Sequence, residues 1–328
     1  MTGNVDFVRE AQGDGGSDLL EVQPDIAARS PLQLFWRRLR SDRVALAAAG
    51  FIVLLVLAAV LAPLVVKLFG ARPPDAQSTK LLDSFGTPTG PSGDNLFGVD
   101  PLGRDVFSRV VYGARVSLEV AIVATALSVV LGVLVGMVAG YYRGWVDTIL
   151  SRFIDVLLAF PILLLALGIG AACSLGNGCL GGLLEPGLSV VIFVIAFVNW
   201  TYIARIIRGQ VLSLREKEFV EAARALGASD RRIIFREILP NLVAPIIVYT
   251  TLIIPTNILF EAALSFLGVG VQPPDPSWGA MIADATAIFD TAWWYMVFPG
   301  AALLLTVLAF NLLGDGLQDA LNPRAGKT

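Results

Sequence analysis

Six stretches of this chain, at about 44–69, 116–139, 149–171, 187–208, 242–265 and 294–315, are apolar over the roughly 20 residues needed to cross a bilayer. Lipid offers the backbone no hydrogen-bond partners, so each stretch must satisfy its own N–H and C=O groups as a helix. The composition agrees, since 55% of the 328 residues are apolar and only 16% are charged, unlike a soluble domain. The expected fold class is therefore an all-α integral membrane protein with six transmembrane helices.

Basic residues orient the bundle. With both termini on the cytoplasmic side, that side holds Arg9, Arg29, Arg37, Arg38, Arg40, Arg43, Arg143, Arg152, the Arg205–Arg236 cluster, Arg324 and Lys327. The outer side keeps Lys67, Arg72, Lys80, Arg104, Arg109 and Arg115, all in one segment. The positive-inside rule favours this placement. Residues 1–30, with GDGGSD and scattered charges, lack periodicity and read as a disordered cytoplasmic tail. Residues 31–69 combine an interfacial segment with the first span, which is too long for a signal-peptide core and reads as an uncleaved anchor. PLQLFWRRLRSDR at 31–43 is either an amphipathic helix with Leu34, Phe35 and Trp36 at the headgroups or a plain basic flank. An external segment follows at 70–115, then a five-helix core at 116–315 with a cytoplasmic insert at 209–241, and a cytoplasmic tail at 316–328.

Much chemistry is excluded. The chain has no histidine, which removes imidazole catalysis and His-based metal sites, and two cysteines alone do not make a zinc site. The terminal AGKT resembles the end of a phosphate loop, but Leu321 stands where the first glycine belongs. ATP hydrolysis by this chain is not expected, nor is nucleic-acid binding, because topology accounts for the arginine cluster. Cys173 and Cys179 fall on the outer side in ACSLGNGC, where Gly176, Asn177 and Gly178 suit a tight turn. That spacing favours a disulfide over two free thiols, at roughly 2 kcal/mol for closing so short a loop.

The insert carries the functional signal. In REKEFVEAARALGASDRRIIFREILPN, Arg215 to Asn241, the residues Phe219, Ala222, Ala223 and Leu226 recur at helical spacing, with Arg215, Glu218, Glu221 and Arg224 on the other faces. Gly227 is placed to stop this helix, Ser229 to cap a second one from Asp230, and Pro240 with Asn241 to turn the chain back into the membrane. Such a unit either docks in a partner's groove or merely links two spans.

EAARALG, Glu221 to Gly227, followed by ILPN, Ile238 to Asn241, resembles the EAA signature of ATP-binding-cassette importer permeases, in the wording of the dipeptide/oligopeptide branch. The similarity continues in FGVDPLGRDVFSRVVYGARVSL (Phe97–Leu118), GYYRGWVDTILSRFIDVLLAFP (Gly140–Pro161) and ILFEAALSFLGVGVQPPDPSWGAMI (Ile258–Ile282). It implies a C-type subunit with the type I importer permease fold, multi-pass in a bacterial inner membrane. It implies as partners a homologous second permease subunit, two ATPase subunits or domains and an external solute-binding protein, with ATP and Mg on the ATPases and no cofactor on this chain. The short helix would be the coupling helix, with Glu221, Ala222, Ala223 and Gly227 coupling and Phe219, Arg224 and Leu226 supporting the docking.

The other motifs have structural and functional readings. Asp100, Arg104 and Asp105 are expected near the outer surface, beside a short amphipathic helix using Leu102, Val106, Phe107 and Val110 to pack over the bundle mouth; contact with the delivering protein is the alternative. Arg152 and Asp155, three apart on one helix, are expected to pair locally. Trp278 is expected at the interface. Glu261 near the outer end of a span, and Asn199, Asn257 and Asn311 within spans, either bond between helices or line a substrate path. The branch implies dipeptides or short oligopeptides as cargo, although related subunits carry nickel chelates, glutathione or oligosaccharides. Glu237, where the branch has His, and NLFGVD with Asn95 and Val99, where it has HPLGTD, weaken the transfer of any one substrate. A secondary transporter would instead show intramembrane carboxylates or an inverted repeat, and a membrane scaffold would need no groove-binding helix.

Overall fold

The computed structural model describes residues 31–174, 178–184 and 186–321. The predicted 1–30 tail, the Gly176–Asn177 turn and the terminal AGKT lie outside them. The described residues form twelve α-helices and short 3₁₀ turns. They are α1 (Pro31–Ser41), α2 (Arg43–Val60), α3 (Ala62–Leu68), α4 (Val106–Tyr142), α5 (Gly144–Ala159), α6 (Ile162–Ser174), α7 (Leu188–Arg215), α8 (Glu218–Ala225), α9 (Asp230–Arg232), α10 (Leu239–Phe266), α11 (Trp278–Ala285) and α12 (Trp294–Leu321). A π-helical turn over Ile233–Ile238 joins α9 to α10. Five helices are long and apolar enough to span a bilayer, and the bent pair α5 and α6 makes the sixth span.

The spans depart from their sequence outlines for identifiable reasons. The third, read as one rod at 149–171, breaks by 89° between α5 and α6. Pro161 forces the preceding Phe160 out of the helical region, to φ −79° and ψ 140°. The second begins at Val106 rather than 116, so the separate outer helix merges into α4, and Leu102 stays in the preceding turn. Asp105 caps this helix by accepting a 2.8 Å bond from Ser108 N. The fifth does not turn at Pro240, because the helix runs on from Asp230 through the π turn, whose wider winding accommodates a residue lacking an N–H. Asn241 Nδ2 donates to the Glu237 carbonyl at 2.7 Å and satisfies one acceptor there.

The outer segment is sheathed in protein. Asp100, Arg104 and Asp105, expected near the surface, are buried. Asp100 Oδ1 accepts from Leu102 N and Arg104 N at 2.9 Å each, and its Oδ2 pairs with Arg104 Nε at 2.6 Å. Asp105 is pushed above the usual carboxylate range chiefly by burial. Trp278, expected at the interface, is fully buried, and its indole donates to the Val110 carbonyl at 3.0 Å. Trp294 does the same to the Val99 carbonyl at 3.1 Å, while Phe97 stacks on Phe298 at 3.9 Å. The segment thus becomes a lid fixed to α4, α11 and α12.

The most extensive helix packing among the described residues is α4 against α7. A methyl group added at Gly132 would lie 2.6 Å from Ile203 Cβ, one at Gly136 2.6 Å from the Ala204 carbonyl oxygen, and one at Gly140 2.8 Å from Val211 Cβ. Spaced four apart, these glycines line one ridge and let the backbones meet, the small-residue packing that membrane helices use in place of a hydrophobic driving force. Gly136→Leu should therefore cost on the order of 1–3 kcal/mol and lower the thermal midpoint of the solubilised protein. Gly50→Ala, where nothing lies within 4 Å, should leave that midpoint unchanged or raise it.

Candidate functional site

The insert is a short helix seated on the bundle end through one side and bare on the other. Val220 of α8 is fully buried among Val211, Ile233, Ile234 and Ile238, with Met137 and Tyr141 of α4 in the same cluster and Ala223 packed against it. Phe219, Glu221, Ala222, Arg224 and Leu226 are all exposed, with Leu226 88% so. Of the predicted apolar stripe, Phe219, Ala222 and Leu226 are exposed and Ala223 is not. Ala223 turns partly inward, and the anchor of the seat, Val220, was missed because a single β-branched residue beside the longer stripe gives no periodicity of its own.

Gly227 ends α8 as expected. It sits at φ +76°, with open space around its Cα, so the demand is conformational rather than steric. Its N–H reaches the Arg224 carbonyl at 3.0 Å, and Ala228 N reaches the Ala223 carbonyl at 3.0 Å, the paired bonds of a Schellman stop. Ser229 precedes the next helix but makes no side-chain cap bond.

Charged contacts fasten the insert to neighbouring elements. Tyr141 Oη donates to Asp230 Oδ1 at 2.7 Å, and Arg215 Nη1 donates to the Tyr141 carbonyl with its guanidinium 5.7 Å from the ring centre. Arg143 pairs with Glu216 at 2.6 Å. The α4–α5 turn and the insert therefore form one surface. Further into the bundle Asp155 pairs with Arg205 at 2.6 Å, and Asp147 takes Arg208 at 2.5 and 2.8 Å. The expected Arg152–Asp155 pair is replaced because α5 lies against α7, whose arginines face both aspartates across the groove.

The polar residues proposed for a substrate path turn inward instead. Asn199 Nδ2 donates to Asn257 Oδ1 at 2.6 Å, and Asn257 Nδ2 donates to Thr125 Oγ1 at 2.7 Å, so one side-chain chain ties α7, α10 and α4. Glu261 is fully buried and accepts hydroxyl bonds from Ser117 and Ser265 at 2.8 Å each. Of the two readings given for them, Asn257, Glu261 and Asn199 make the interhelical bonds. The cause is that apolar surroundings leave such groups a strong preference for a fixed polar partner. Asn311 stays exposed on α12. Cys173 and Cys179 are joined as a disulfide, with Cα atoms 4.7 Å apart.

The described residues form a bundle of helices able to span a membrane, with a short helix seated at one end through Val220. Residues 132–327 match the model of the binding-protein-dependent transport system inner membrane component, and residues 30–80 match the N-terminal TM domain of oligopeptide transport permease C. The chain therefore belongs to the family of binding-protein-dependent inner-membrane transport components, in its oligopeptide-type branch. Two similar relatives are the glutathione transport system permease proteins GsiD of Escherichia coli O6:K15:H31 and of Shigella boydii serotype 4. Each is 45% identical over 303 residues, covering 92% of this chain and 93% of the relative. Among solved structures, an inward-facing MetNI methionine ABC transporter chain superposes with a TM-score of 0.54 at 19% identity. The match covers 65% of this chain and 96% of that one, and it supports the fold.

Two substitutions probe this geometry. Asn257→Leu should leave Thr125 and Asn199 without their buried partner and destabilise the bundle by about 1–3 kcal/mol, read by thermal unfolding in detergent. Asn311→Leu, on an exposed position, should change it by less than about 0.5 kcal/mol.

Proposed function

We propose that this chain forms one half of the translocation pore of an ATP-driven importer of short peptides. The observation that carries the reading is α8: a helix fixed from behind by Val220 and stopped by Gly227 offers Phe219, Ala222 and Leu226 to a partner. Small Ala222 permits close approach while the two large apolar side chains fill pockets, the arrangement by which short helices bind grooves. Glu221 and Arg224, exposed on the other faces of the helix, supply orienting charge.

In this reading the groove belongs to a cytoplasmic ATPase, and a second permease subunit completes the pore. ATP and Mg sit on the ATPases, and an external solute-binding protein delivers cargo. Closure of the ATPase pair draws the two coupling helices together. Because α8 is seated against α4, α7 and the π turn, its displacement is passed to the spans rather than absorbed by a loose loop. The permease shifts between inward-open and outward-open states only to the extent that its docking contacts differ between nucleotide states.

The cargo reading is a peptide of two to a few residues, with glutathione, itself a tripeptide, the first ligand to test. It rests on the similarity to glutathione transport permeases across nearly the whole chain. Isolating the cognate binding protein and identifying its retained ligand by mass spectrometry tests this directly. A metal chelate or an oligosaccharide would overturn it.

Coupling is tested separately. Glu221→Lys and Gly227→Pro should each reduce uptake by more than about tenfold while the subunit still inserts, the proline because it cannot adopt the positive φ of this position. Leu226→Glu should weaken co-purification of the ATPase. Normal substrate-stimulated ATPase activity in these variants would count against the docking role.

A further inference from the structure

Helix α1 lies across the bundle end that carries the insert. Its buried Leu39, with Phe35 alongside, packs against Ala45 at the start of α2 and against Leu317 and Ala320 at the end of α12. The seat is tight: a methyl group on Gly316 would come within 2.4 Å of Ala45 Cβ. Gln318 and Leu321 of the same α12 end share a recess with Gln210 of α7, which leads into the insert. The helix is therefore a fixed ledge at the cytoplasmic membrane boundary.

Its outer side is basic and aromatic. A recess of about 590 Å³ is lined by Gln33, Trp36, Arg37, Arg40 and Ser41, with no carboxylate among them. Trp36 is half exposed, and the Arg40 guanidinium lies 6.0 Å from its ring centre, so the aromatic surface and a positive charge face the same space. The nearest acid in sequence, Asp42, is engaged elsewhere: its Oδ1 accepts from Val44 N and Ala45 N at 2.9 and 3.0 Å and caps α2. Since α2 enters the apolar layer directly after this cap, the recess sits at headgroup level.

We propose that this recess is a binding site for the phosphodiester headgroup of an anionic phospholipid of the cytoplasmic leaflet. Arg37 and Arg40 meet the phosphate, and Trp36 covers the glycerol and upper acyl region. A headgroup there pins α1, and through it the α2–α12 contact, at a fixed depth. Anionic headgroups suit basic pockets beside membrane helices, each Arg near such a surface being worth about a fivefold change in binding.

Native mass spectrometry of the full-length solubilised protein, titrated with phosphatidylglycerol or with phosphatidylcholine, tests the site. Phosphatidylglycerol should bind at least about tenfold more tightly, with the preference falling as salt rises. Arg37→Gln with Arg40→Gln should remove most of the preference, and Arg37→Lys with Arg40→Lys should retain a good part of it. Inorganic phosphate at millimolar concentration should not displace the lipid. Equal binding of the two lipids by the unaltered chain overturns the proposal without recourse to any variant, as it would if the acidic first thirty residues occupied the recess. An unchanged preference in the glutamine variant, or displacement by inorganic phosphate, overturns it as well.

Discussion

The close crossing of α4 and α7 is the contact on which the other elements depend. Gly132, Gly136 and Gly140 bring the two backbones together, and three of the buried clusters include residues of both helices. At the outer half they gather α6 and the end of α10, through Val120, Ala124, Val191, Ala166 and Leu264. In the middle they hold α5 through Ile154, Trp200 and Ala204. At the inner end they supply Met137, Tyr141, Ile207 and Val211 as the surface on which Val220 rests. Within lipid, apolar side chains alone do not drive helices together, so a crossing that maximises backbone contact is an effective organiser.

Polar groups then set the register that apolar packing leaves loose. The chain Thr125, Asn257, Asn199 fixes the depth of α10 against α4 and α7, and Glu261 with Ser117 and Ser265 repeats the device toward the outer end. Two indole bonds to the Val110 and Val99 carbonyls lock the outer lid to the same frame. The insert inherits this rigidity. The buried Val220 together with the Asp230–Tyr141 and Glu216–Arg143 contacts gives α8 a stiff mount.

Several local readings of the chain hold because they rest on short-range physics. The helical stop at Gly227 follows from backbone conformation alone, the lipid-crossing stretches from their hydrophobic length, and the EAARALG segment from its wording. Readings that needed to know a neighbour fared worse. Arg152 and Asp155 are correctly spaced to pair, yet α7 offers Asp155 a better partner in Arg205. Trp278 has the character of an interfacial anchor, yet folding buries it among residues of α2, α4, α10 and α12. For Glu261 and the two asparagines, both readings stayed open until their partners on other helices were seen.

What the sequence determined by itself is the class of molecule: a helical membrane protein with a charged helix between two spans, marked by a family signature. Hydrophobic length, the positive-inside bias and positive-φ glycine all act within a few residues of where they are written. Tertiary structure alone decided which side of α8 is bare, that α5 and α6 bend apart, that the glycine ridge of α4 meets α7, and that the intramembrane polar groups face one another. Those outcomes depend on which helices become neighbours, and that is settled by backbone approach and buried hydrogen bonds between residues up to 195 positions apart.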